Sequence, residues 1–548
     1  MKFCILSALF FLFWNSTSIA AEQVKVPTIE AELDSSPACG DTIVNFYQAA
    51  PVTFNPLLAR ESISQSFCSL IYSSLTSYNQ NCELEPDLAS SWEISADGLQ
   101  ITFELKSGIK WHDGVDFTAE DVRFTYDLIM NPVGRPADQK MTGCFETLEV
   151  LTSHSLRFKL KKPFAPALNY CGFQIIARHI YLTEDLNTSS FNLNPIGTGP
   201  FRFVRYLKNE QVVLAANQEY FSGRPFVDRL ITRIIPDRSQ AFLMFKRGEI
   251  DVFPLTWDQY VNQVKGGELE SKINVYTSTN KANFLLYNNS REILSDRRVR
   301  RALTQAIDRE ALVREVLHGY GTNTSGPCLP DSWAYDKTIE PWPYSTREAT
   351  NLLSAAGWSD TDGDGTLERG TKELRLSIVR FGNDPVAMLV PGMVMNYWST
   401  VGATTELSVT TWGGLMDKAG QGDFDVIMIG NRIDPTEPDS NYSVWHSCEI
   451  PDPKLKKGDN LARYSNPEVD SLLERGREIF DKAERQKIYH ALHRLLHEDQ
   501  PCTFLGMQQS FFAVNKRFHG ISATMAGGLT PMWRWFVPES QQKYSDGN

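Results

Sequence analysis

The chain has 548 residues, 42% of them hydrophobic and 22% charged, with a formal net charge of −12. That composition supplies a large core across about three to four domain-sized units and excludes global disorder. The acidic balance offers no basic face for nucleic acid and is weakly repelled by anionic lipid.

In chain order, Lys2 precedes an almost unbroken apolar run over residues 5–14, and Ser18, Ile19 and Ala20 place small residues where a leader peptidase cuts. The run is too short to cross a bilayer, and no second stretch of about twenty apolar residues follows. The reading is a signal peptide over residues 1–20, cleaved after Ala20, and an exported, soluble mature protein of net charge −13 once Lys2 has left. No Cys follows the cleavage point, which argues against a lipid anchor. Eight Cys remain in the mature chain: Cys39, Cys68, Cys82, Cys144, Cys171, Cys328, Cys448 and Cys502. An even count in an oxidising compartment predicts at least two disulfides, with the pairing open. No Cys-x-x-Cys spacing supports structural zinc.

Residues 21–40 read as a loose polar arm and 43–46 as the first strand. Between Pro86 and Val122 comes a run of short words: Pro86-Asp87-Leu88-Ala89, Ser91-Trp92-Glu93, Asp97-Gly98, Phe103-Glu104-Leu105-Lys106, Trp111-His112-Asp113-Gly114 and Thr118-Ala119-Glu120-Asp121-Val122. Asp97-Gly98 is a hairpin turn signal. Residues 99–105 alternate as a half-buried strand, and Thr118 with Asp121 makes a capping box. Strands and turns continue to about Asn280, with helices over 119–130 and 240–246. Beyond it the pattern turns helical. Ser295 is placed to cap a helix through Ile307, and Asp308 the next one, ending at Gly319. A further helix spans 346–356 and stops at Gly357. Asn466-Pro467 opens a helical stretch to about Glu498. From Phe511 the chain is strand-like again.

Taken in this order, the words resemble the solute-binding proteins of peptide-type ABC importers, the dipeptide, oligopeptide and nickel group. Pro195-Ile196-Gly197-Thr198-Gly199-Pro200-Phe201 is similar to that family's Gly-Thr-Gly-Pro turn. Asn217, Tyr220, Gly223 and Pro225 follow at the family's distance. Gly248-Glu249-Ile250-Asp251 and Val299-Arg300-Arg301-Ala302-Leu303 extend the resemblance over nearly the whole mature chain. It implies an α/β, two-lobed periplasmic-binding-protein fold whose second lobe is inserted into the first, joined by two hinge strands. Lobe 1 would comprise residues 21–280 and a C-terminal return over 511–548, and lobe 2 residues 281–510. It implies capture of short peptides by a periplasmic monomer that serves an inner-membrane ABC permease, with no cofactor, no metal and no catalytic residue.

The resemblance also implies ligand residues. Asp434, followed by Glu437-Pro438-Asp439, falls where peptide binders of the family pair an Asp with the peptide's α-ammonium group. Trp412 falls where dipeptide binders carry a pocket Trp. Arg380, just before Asn383, lies near their carboxylate-binding Arg. Asn431 stands where the family often has Trp, so one pocket wall is more polar here. Physics independent of the family agrees, since a free peptide is a zwitterion that needs an anion at one end and a cation at the other, and an Arg fork suits a carboxylate. Two alternatives remain open. One is the same fold binding a metal chelate, haem, an oligosaccharide or an antimicrobial peptide. The other is a secreted hydrolase, although no nucleophile motif is present. Asp360-Thr361-Asp362-Gly363-Asp364-Gly365 opens like an EF-hand loop, but Thr371 occupies the twelfth position where Glu is required, so a polar hairpin loop is expected.

Overall fold

The computed structural model describes residues 37–130, 143–382, 385–452 and 458–544. The expected leader over residues 1–20, residues 21–36 of the expected arm, and Asn383 lie outside them.

The first region builds two four-stranded sheets. One runs in the order Thr42–Tyr47, Arg229–Ile234, Gln211–Ala216, Phe201–Leu207, with the first pair parallel. The other is antiparallel throughout, in the order Ala89–Ile94, Gln100–Leu105, Ser155–Leu160, Phe145–Thr152. The Asp97-Gly98 turn forms as its residues dictate: Gly98 adopts φ +68°, and Asp97 Oδ1 accepts the Leu99 N–H at 3.0 Å. In the strand that follows, Ile101, Phe103 and Leu105 are buried at a period of two. Of the capping box, the half that reaches back is present: Asp121 Oδ2 accepts the Thr118 N–H at 2.9 Å at the start of helix Ala119–Met130.

The Gly-Thr-Gly-Pro turn lies hard against the end of helix Ser62–Ile71. A Cβ on Gly197 would sit 1.9 Å from the Ile71 carbonyl oxygen, and the Gly199 N–H donates to that same oxygen at 2.8 Å. The His112 ring clamps the turn from the other side. Its Nδ1 accepts the Gly197 N–H at 3.2 Å, so Nε2 carries the hydrogen and donates to the Gly199 carbonyl at 3.0 Å. Burial pushes this imidazole down to about 4, which suits a neutral structural ring.

Two long antiparallel strands, Ile273–Tyr287 and Cys502–Asn515, unite the molecule. At one end Cys502–Asn515 also pairs with Val252–Leu255, and this end packs on a core of Phe46, Phe242, Phe253 and Phe511. At the other end, Ile273–Tyr287 continues into Val426–Arg432, Arg375–Arg380 and Thr404–Val409. Two cores flank that end, one around Leu285, Leu303 and Trp398, the other around Phe504, Leu473 and Leu492. The ladder is irregular between Thr279 and Lys281, midway along. Beyond it the chain returns to the first region, where Val514, Phe518 and Trp535 join the Phe54–Phe103–Phe158 core. The fold is therefore two α/β lobes, the first discontinuous and the second inserted. Buried Arg517 fastens the return: it pairs with Asp41, and at 2.8 Å with Asp251, whose Oδ2 also accepts the Val44 N–H at 2.9 Å.

Some sequence expectations are corrected. The helix Arg297–Gln305 is capped by Asp296, not Ser295, because Asp296 presents the side-chain oxygen that accepts the Arg298 N–H at 2.8 Å. The stretch from Asn466 splits into Pro467–Glu478 and Lys482–Asp499, since Asp481 provides a second N-cap. The expected disulfides are absent among the described residues: the eight Cys from Cys39 to Cys502 stand as thiols. Six of them are buried and only Cys39 and Cys448 are exposed, so most serve as small apolar packing groups. Burial pushes the Cys68 and Cys328 thiols up to about 12.

Candidate functional site

The second lobe alternates strand and helix: Arg375–Arg380, helix Pro385–Ser399, Thr404–Val409, helix Trp412–Gln421, Val426–Arg432. The three strands are parallel, and in such sheets ligands sit beyond the carboxyl ends. All four expected site residues are there. Arg380 ends the first strand, Trp412 opens the helix after the second, Asn431 lies at the end of the third, and Asp434 follows two residues beyond it.

Trp412, Asn431 and Asp434 line one cavity of about 440 Å³, together with Phe284, Ser443 and Trp445. Thr411 caps the helix that starts at Trp412, accepting the Gly414 N–H at 3.2 Å. The indole is 50% exposed and rests edge-on against Phe381 at 4.8 Å, so it is a wall rather than a core residue. Asp434 Oδ1 accepts the Thr436 N–H at 2.8 Å and its hydroxyl at 2.6 Å, which closes a tight turn. Its second oxygen has no hydrogen-bond partner among the described residues. Tyr78, from the first lobe, approaches Thr436 and the Asp434 carboxylate, and burial pushes its phenol up. Arg380 stands apart: Nη1 donates to the Gly382 carbonyl at 2.6 Å, and the residue does not line this cavity.

Glu437 and Asp439 have a separate task. Asp439 pairs with Arg477 at 2.5 Å and accepts the Tyr170 hydroxyl at 3.1 Å. Glu437 pairs with Arg485 and accepts from Asn169 Nδ2 at 3.4 Å. The Ala165 N–H also donates to the Arg477 carbonyl at 2.6 Å. These acids belong to a contact between the lobes rather than to the cavity wall.

Three further arrangements bear on chemistry. Arg432, opposite Lys281 in the ladder, lines this cavity and a second one of about 360 Å³; neither cation was singled out by sequence, because a lone basic residue near a strand end carries no signal. The 360–368 loop gathers the carboxylates of Asp360, Asp362, Asp364 and Glu368 within 4.8 Å of one another. Glu368 stands at the ninth position of the loop, not at the twelfth that an EF-hand uses. Backbone N–H groups of Gly363, Gly365 and Thr366 donate to these aspartates, as in a polar hairpin loop. Finally, Ser325 Oγ lies 3.0 Å from His493 Nε2. His493 Nδ1 accepts the Asp336 N–H at 3.1 Å, so Nε2 carries the hydrogen and cannot take one from the serine. Burial, which pushes this imidazole down to about 4, keeps it neutral.

Two lobes that share a pair of strands, the second holding such a cavity at its own strand ends with Tyr78 of the first beside Asp434, make a receptor for a small solute. The sequence matches the family "Bacterial extracellular solute-binding proteins, family 5 Middle" over residues 83–451, about two thirds of the chain, and the protein belongs to that family. The chain is 29% identical over 508 residues to the oligopeptide-binding protein AppA of Bacillus subtilis (strain 168), covering 91% of this chain and 92% of that one. It is 26% identical over 506 residues to the dipeptide-binding protein of Escherichia coli (strain K12), covering 87% and 91%. Among solved structures, AppA in complex with a nonapeptide superposes with a TM-score of 0.72 at 28% identity, covering 92% and 100%. NikZ from Campylobacter jejuni in complex with Ni(L-His) superposes with a TM-score of 0.74 at 29% identity, covering 91% and 100%. Among the described residues, no helix is long and apolar enough to cross a membrane.

Proposed function

We propose that this protein captures short peptides with a free N-terminus outside the cytoplasm and delivers them to an inner-membrane ABC permease. The observation that carries this reading is the cavity at the strand ends, lined by exposed Asp434, one of whose oxygens has no hydrogen-bond partner among the described residues, and by half-exposed Trp412. A carboxylate and an aromatic wall suit an α-ammonium group and the side chain next to it. The protein is exported by a leader removed after Ala20, acts in the periplasm as a monomer and performs no turnover. The protonated Nε2 of His493 supports the last point. Lobe 1 takes residues 21–280 and 511–548, lobe 2 residues 281–510, and the irregular rungs at Thr279 and Lys281 are the bending point. Closure over the peptide excludes water and changes the outline that the permease meets.

The test is to purify the exported protein without refolding, release its contents by denaturation and identify them by mass spectrometry. Peptides of a few residues are expected. Recovery of haem, a metal chelate or a sugar oligomer in stoichiometric amount, with no peptide, would overturn the reading.

A further inference from the structure

A second cavity, of about 360 Å³, opens on the other face of the same strand ends. Its charge is the reverse of the first. The Asp434 cavity is lined by two carboxylates, Asp434 and Asp459, and one cation, Arg432. The second is lined by three cations, Arg238, Lys281 and Arg432, and one carboxylate, Asp258. Asp258 is exposed and accepts from Asn262 Nδ2 at 2.7 Å. Arg238 donates to the Pro254 carbonyl and lies 4.9 Å from the centre of the Phe253 ring, with no carboxylate partner among the described residues.

Lys281 and Arg432 are directly opposite each other across the antiparallel ladder. Opposed residues project from the same face of a sheet, and like charges there repel. Neither side chain has an ion pair or hydrogen bond to relieve this among the described residues. The Lys281 stem runs along Gly430, two residues before Arg432 on the same face: a Cβ there would touch Lys281 Cε at an ordinary 3.5 Å and crowd only Asn283 Oδ1, at 2.8 Å. Two cations on facing positions of the ladder, both lining one cavity and neither with an ion-pair partner among the described residues, form a waiting site for an anion. Because Arg432 lines both cavities, that site adjoins the acidic one along a single strand end.

We infer that Lys281 and Arg432 hold the C-terminal carboxylate of the bound peptide, while Asp434 holds its ammonium group, so that a short zwitterion bridges the two faces of the strand end. This rests on the peptide reading above and departs from the resemblance, which puts the carboxylate on Arg380.

The experiment passes a random tripeptide pool over the ligand-stripped protein, identifies retained sequences by mass spectrometry, and resynthesises them as free acids and as C-terminal amides. Affinities are measured by calorimetry for the unmodified protein, for Lys281→Gln, for Arg432→Gln, for the double variant and for Arg380→Gln. Amidation is expected to weaken binding to the unmodified protein by roughly 30-fold or more, as for loss of one partner of a desolvated charge pair. Each single variant should lose about tenfold for the acid, and the double variant should bind acid and amide alike. Its melting temperature should equal or exceed that of the unmodified protein, since a like-charge pair has been removed. Equal affinity for acid and amide in the unmodified protein overturns the carboxylate site and leaves the peptide reading standing. Discrimination that survives in the double variant but disappears in Arg380→Gln returns the carboxylate to Arg380. If no tripeptide is retained and the protein yields a non-peptide solute on denaturation, the peptide reading falls first and this inference with it.

Discussion

Replacing Asp434 by Asn separates its two roles. Oδ1 already serves the turn, accepting both the N–H and the hydroxyl of Thr436, and an amide oxygen can do the same. Asp434 lines the cavity, and there the substitution removes the charge. An ammonium nitrogen about 3 Å from the carboxylate gains about 5 kcal/mol at an effective dielectric constant of roughly 20. Part of this is spent on desolvation, and measured losses on breaking such a pair under cover are about 3–5 kcal/mol. The expected loss in affinity for a free peptide is therefore roughly two to three and a half decades, with the melting temperature unchanged. Calorimetry should find the same loss when the unmodified protein is offered the N-acetylated peptide, and little further loss when variant and acetylated peptide are combined. Equal affinity for free and acetylated peptides would refute the reasoning and favour a ligand without an amine.

Gly197→Ala should destabilise the protein by about 3 kcal/mol or more in urea denaturation, because its Cβ would meet the Ile71 backbone oxygen at 1.9 Å; Gly420→Ala, in open space on a helix, should be neutral or stabilising by up to about 1 kcal/mol. Arg477→Ala should cost about 3–5 kcal/mol, since it strands the Asp439 carboxylate, whose side chain is only 6% exposed; pairing Arg477→Met with Asp439→Asn should recover most of the loss, and failure to do so would show that the charge pair is not the cause. Stability should fall as pH drops from about 6.5 towards 4. His112 and His493 are both pushed down to about 4 by burial, so the unfolded chain binds protons first, and each contributes stability of up to about 3 kcal/mol that is complete above pH 6.5 and lost on the way down. Asp87, raised to about 6 by burial, works in the opposite sense between about 3.8 and 6 and offsets part of it. Chemical denaturation at a series of pH values checks the sign, and His112→Asn should flatten the slope.

Much of the architecture was legible in the sequence, because local physics writes it there. Asp97-Gly98 can only turn, residues 99–105 alternate because one face is buried, and Asn466-Pro467 starts a helix wherever it is placed. The order of such words resembles a two-lobed family, and that resemblance singled out Trp412, Asn431, Asp434 and Arg380, of which the first three line one cavity and Arg380 does not. What the sequence could not determine depends on which residues become neighbours across long separations. Glu437 and Asp439 read as part of the ligand pattern, yet Arg485 and Arg477 lie dozens of residues further on and claim them. The eight Cys had the right number for bridges, but pairing is set by where thiols come to rest, and most rest in the core. Lys281 and Arg432 are 151 positions apart in the numbering, and only the register of two antiparallel strands sets their charges side by side. Periodicity and caps act within a few residues and survive as sequence signals. Electrostatic complementarity in a cleft acts across space, and it exists only once the tertiary fold has chosen the register.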